Sequence, residues 1–66
     1  MTQQEMIKVL EPLVDATSTA DVVLALARLC NEKAEHVAIN LQDASLAKKW
    51  NRNANLLDRL SASFTV

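Results

Sequence analysis

Glycine is absent from the 66 residues of this chain, and that absence excludes more chemistry than any residue present. Gly-rich phosphate cradles of the Walker and dinucleotide-binding kind need backbone conformations that only glycine adopts easily, so neither is available. Tight primed hairpin turns are missing for the same reason. A single cysteine, Cys30, rules out an intramolecular disulfide and points to a reduced, cytosolic setting. Only two aromatics, Trp50 and Phe64, are present, and the preponderance of Ala and Leu favours helix over sheet. With a net charge of −1 there is neither a global basic field to hold nucleic acid nor a polyacidic tail. Arg28, Asn31, Glu32 and Lys33 interrupt the most apolar stretch well before the roughly eighteen residues a membrane span needs. The opening MTQQEMIKVLEP lacks a basic start followed by an apolar run, so no secretory signal is expected.

What is present is helical periodicity. Thr2 and Glu5 have the spacing of a capping box, in which each side chain satisfies the other's free backbone N–H. They predict a first helix over about 3–16, with Met6 or Ile7, Leu10, and Leu13 or Val14 on its apolar stripe. Pro12 falls inside that stripe, lacks a donor and crowds the carbonyl four residues back, so the helix should kink or restart there. Ser18 and Asp21 repeat the start signal. A second helix over about 19–39 follows, with the stripe Val23, Leu26, Cys30, Ala34, Val37, Leu41 stepping by three or four. Val22, Leu24 and Leu29 lie off that line, so the first half of this helix is apolar on most of its circumference. Asn40, Leu41 and Gln42 form the connection, where Asn is the best substitute for Gly at a left-handed helix end. Asp43 caps a third helix over about 44–63, with Leu46, Trp50, Ala54, Leu57, Leu60 or Ser61, and Phe64 stepping alike. So short a connection makes the last two helices antiparallel neighbours. Pairing them inward from the loop sets Leu41 by Leu46, Val37 by Trp50, Ala34 by Ala54, Cys30 by Leu57 and Val23 by Phe64. The expectation is one all-α domain over 1–66: an antiparallel helical hairpin with a short, Pro-kinked N-terminal helix, dimerising into a helix bundle.

The candidate chemistries fail at the level of spacing. His36 is the sole histidine; a di-iron helix wants Glu three residues before each His, and Lys33 stands there. Cys30 and His36 lie on differing faces, with no second Cys or His to complete a zinc site. A Cys30 nucleophile would need a base that the third helix, which has no His, does not supply. So short a chain also has little concave volume for a substrate. The reading is therefore no enzyme: no catalytic, cofactor-binding or metal-binding residue and no cofactor.

Two binding readings are left. Sixty-six residues bury only about 60% of their unfolded surface, which leaves stability marginal unless something adds to the core. A short first helix cannot cover Val22, Leu24, Leu29 and Leu56 together with Ile39, and uncovered apolar surface marks an interaction site. The first four are the expected partner interface, with a second copy of the chain as first candidate occupant and another protein as the alternative. A two-fold dimer would pack the first halves of the second helix, with part of the third, into a four-helix core with the first helix as lid. The second reading is weak nucleic-acid binding by Lys48, Lys49 and Arg52, where cations alternate with Trp50 and amides. One basic helix on a net-negative chain would lose such binding rapidly with salt.

The tail AKKWNRNANLLDRL, with Ala47, Trp50, Arg52, Leu57, Asp58, Arg59 and Leu60, resembles the end of short uncharacterised all-helical proteins of cyanobacteria. The likeness extends back over ALARLCNEKAEHVAINLQD and leaves out the first helix. It implies a small bacterial cytosolic protein of unknown role, and it brings no activity, cofactor or catalytic residue.

Overall fold

A computed structural model describes residues 1–65 and shows three helices among them: α1 (Gln3–Ala16), α2 (Thr19–Asn40) and α3 (Ala44–Ser61). Each begins on the cap that the sequence supplies. The Thr2 hydroxyl accepts from the Glu5 N–H, and the Glu5 carboxylate accepts from the Thr2 N–H, both at 3.1 Å. Ser18 Oγ accepts from the Asp21 N–H at 3.1 Å and Asp43 Oδ1 from the Leu46 N–H at 3.0 Å. Each bond satisfies one of the free donors at a helix start. Pro12 lies inside α1, which runs on unbroken to Ala16. There is no restart at that point. α1 ends where the Thr17 N–H and hydroxyl both donate to the Leu13 carbonyl, at 3.1 and 2.6 Å.

The turn from α2 to α3 differs from expectation. Asn40 remains helical and Leu41 keeps a right-handed conformation (φ −102°, ψ −10°). Gln42 takes the left-handed position at φ 51°. The Val37 carbonyl accepts from the N–H of Leu41 at 3.2 Å and of Asp43 at 3.3 Å, which closes the turn one step beyond Asn40. α3 stops at Ser61, two residues before the expected end.

α2 and α3 pack extensively as the hairpin. The buried residues among those described are Ala27, Cys30, Ala34, Val37, Ala47 and Ala54. With half-buried Val23, Trp50, Leu57 and Ser61 they alternate steps of four and three along each helix, the knobs-into-holes spacing of a coiled coil. This corrects the expected stripes at four places. Ala27 replaces Leu26 and Ala47 replaces Leu46, while Leu41 is 62% exposed and Phe64, beyond the end of α3, is 41% exposed. Small residues let two helix axes approach to the short end of the usual 8–10 Å range, and a leucine at either position would hold them apart.

α1 is a different matter. It meets α2 sparsely and brings no Cα within 8 Å of α3 among the described residues. None of its residues is buried. The molecule is accordingly a thin slab of 37 × 27 × 15 Å, little more than one helix thick. Its radius of gyration is 13.5 Å, against about 11 Å for a compact chain of this length.

Candidate interaction surface

Two hollows open beside the hairpin seam. The first, about 310 Å³, lies between α1 and α2 and is lined by Leu10, Leu13, Val22, Leu26 and Leu29, with Asp21 at its edge. It exists because α1 leaves α2 at the Thr17–Ser18 link, where Ser18 is fully extended (φ −163°, ψ 166°). The helix is thereby directed away from the hairpin. The second hollow, about 330 Å³, is lined by Cys30 of α2 and by Asn53, Leu56, Leu57 and Leu60 of α3. Cys30 and Leu57 line it together, in keeping with their expected pairing.

Leu29 and Cys30 are consecutive on α2 and line one hollow each. Leu29 precedes the seam residue Cys30 by about 100°, and Asn53, Leu56 and Leu60 precede the seam residues Ala54, Leu57 and Ser61 by the same angle; in antiparallel helices these positions fall on one side of the hairpin, so the two hollows open together. That side carries Leu26, Leu29, Leu56 and Leu60, all exposed. The opposite side carries exposed Asn31 and Glu35 from α2 and exposed Asn51, Asn55 and Asp58 from α3. Leucines predominate on the first side, with Lys49 and Asn53 among them, and polar side chains on the second.

The four residues expected at a partner interface fall unequally on these faces. Val22 and Leu29 line the groove between α1 and α2. Leu56 lines the neighbouring hollow and is 43% exposed. Leu24 is half-buried and lines neither; five residues from Leu29, it points about 140° away around the helix. Leu10, Leu13, Leu26 and Leu60 are part of the apolar face and were not among the four. A helical wheel centred on the alternating seam, rather than on the largest residues, locates Leu26 and Leu60, whereas Leu10 and Leu13 follow only from where α1 sits.

Lys48, Lys49 and Arg52 are all exposed. Lys49 stands in one row with Asn53, Leu56 and Leu60, and Arg52 and Arg59 border that row on its outer side. The cations therefore edge the apolar ridge of α3. His36 Nδ1 accepts from the Asn40 side-chain amide at 2.9 Å on the exposed surface of α2. Cys30 is buried at the seam. Among the described residues no three of His, Cys, Asp and Glu come together as a metal site, and no helix is long and apolar enough to cross a membrane.

Compared with family models, curated proteins and solved structures, the chain matches none.

Proposed function

We propose that this chain is a small cytosolic helical interaction or adaptor module that works as a homodimer and catalyses no reaction. The observation that carries this reading is an area. The chain exposes 5304 Å², whereas a compact folded monomer of 7.3 kDa exposes about 4,200 Å². The excess, roughly 1,100 Å², is somewhat more than the ~800 Å² that each partner contributes to a stable interface. The missing burial is apolar: no large side chain is fully buried among the described residues, and thirteen large hydrophobic residues are exposed. A second copy placed on the apolar face would cover Val22, Leu29 and Leu56 together. Light scattering behind gel filtration tests the reading: a dimer at micromolar concentration supports it, and a 7.3 kDa monomer overturns it.

The second reading, weak binding of nucleic acid through Lys48, Lys49 and Arg52, has in its favour that all three are exposed on one helix. It accounts for the cations and leaves the apolar excess unexplained.

A further inference from the structure

We infer that in the dimer α1 of each copy seats on α3 of the other, with Leu10 and Leu13 against Leu56 and Leu60, reciprocally about a two-fold axis. This rests on the homodimer reading and adds to it which helices meet.

Three observations converge on this pairing. The first is that α1 has no adequate support in its own chain. A 14-residue helix with a proline inside is at the length where isolated helices are marginal in water. Its own α2 touches it sparsely and its own α3 does not come near it. The second is that α3 has a ridge without a partner. Leu56 and Leu60 are about half exposed, one turn apart, and project beside the seam rather than into it. The third is charge. Glu5, Glu11 and Asp15 against Lys8 give α1 a net −2, on the flank and far side from Leu10 and Leu13, while Lys48, Lys49, Arg52 and Arg59 against Asp58 give α3 a net +3, so the attraction is between whole helices and not between paired side chains. Asp21 adds a carboxylate at the edge of the groove that Leu10 and Leu13 line.

The two most oppositely charged helices of the chain are thus the two that do not touch within it. Exchange between copies brings them together twice, and the two-fold operation closes the assembly instead of propagating it. Pairing α2 with its own copy gains nothing comparable, since α2 has a net charge of only −1, and juxtaposing two α1 helices sets like charges side by side. Asp21 at the edge of the groove disfavours a fatty acid there, because its head group is an anion. The cations on α3 also acquire a role here, bordering a ridge that an acidic helix covers.

Cross-linking between tagged full-length chains tests the pairing. Leu13 and Leu60 are each 52% exposed, so cysteine at either place leaves the fold of the single chain intact. A chain carrying Leu13→Cys with one tag is mixed with a chain carrying Leu60→Cys with another, both with Cys30→Ala, and oxidised gently. A disulfide needs Cβ atoms within about 4.5 Å. The expected product is the mixed 13–60 disulfide, in several-fold excess over 13–13 and 60–60, and formation of the native dimer should weaken as salt rises. A predominance of 13–13 or 60–60, or a dimer unaffected by salt, overturns the pairing. Light scattering on the unsubstituted chain separates the two failures: a monomer removes the dimer itself, whereas a dimer without the 13–60 product removes only the α1–α3 arrangement.

Discussion

Leu13 of α1 and Leu29 of α2 line the two walls of one groove, each about half exposed at 52% and 46%. Two leucines that face each other across an open groove, with no fully buried large side chain among the described residues, hold apolar area that the monomer has not removed from water.

Leu29→Glu should therefore weaken self-association. Burying a leucine contributes about 1.5–3 kcal/mol, so the dimer dissociation constant should rise by at least about tenfold. Leu24→Glu, on the other side of α2, should weaken it less, and Ile39→Glu, at 72% exposure near the turn, least of all. Sedimentation equilibrium on the three variants checks the order; equal effects would show that the interface is elsewhere.

The alanine seam leads to a prediction about bulk. Ala54 is 1% exposed and Ala27 is 2%, so Ala54→Leu forces the hairpin helices apart and should cost about 1–3 kcal/mol. Leu26→Ala, at a position 39% exposed, should cost less of the stability of the hairpin while reducing association. Urea denaturation at matched concentrations compares them. A more stable Ala54→Leu variant would mean that the seam is not closely packed.

At the turn, Gln42 occupies a left-handed conformation at φ 51°, which costs a residue with a Cβ about 1 kcal/mol. Gln42→Gly removes that cost but makes the unfolded chain freer. The net gain should be about 0.5 kcal/mol, read as a higher melting temperature, whereas Gln42→Val should lower it. A melting temperature reduced by glycine would contradict the assigned turn.

Caps make a paired comparison possible. Asp43→Ala removes the bond to the Leu46 N–H and should cost about 1 kcal/mol, or roughly 4–8 °C in melting temperature for a domain of this size. Thr2→Ala removes the capping box of α1, a helix outside the hairpin. It should fray α1 by hydrogen exchange and weaken the dimer, with little effect on protection within α2 and α3. Equal loss of protection in all three helices would mean that α1 is an integral part of the hairpin core.

The nucleic-acid reading is tested most cheaply on a heparin column at low salt. Retention that Lys49→Glu abolishes would assign the basic edge of α3 to a polyanion. Passage without retention is the expected result, because one helix of net +3 on a net-negative chain binds phosphates weakly.

The three helices and their starting points were legible along the chain, because those signals are local. A Thr, Ser or Asp side chain reaches a backbone N–H three residues on, and the start of each helix follows from that reach at Thr2, Ser18 and Asp43. The hairpin of α2 and α3 was legible too, since a connection this short leaves little other choice. Packing between the helices selected which apolar residues the hairpin consumes. Leu26 and Ala27, or Leu46 and Ala47, fit a three-or-four step equally well, and the alanines are at the seam because helix axes that approach closely exclude larger side chains there. The same choice turns Leu26, Leu29, Leu56 and Leu60 outward and sets Leu24 on the other side of the seam from Leu29. It also moves the left-handed residue from Asn40 to Gln42, where the last helical carbonyls are satisfied. The angle at which α1 leaves α2 was not legible either. It depends on the extended backbone at Ser18, and it decides whether a third helix covers the hairpin or, as here, leaves its apolar face open.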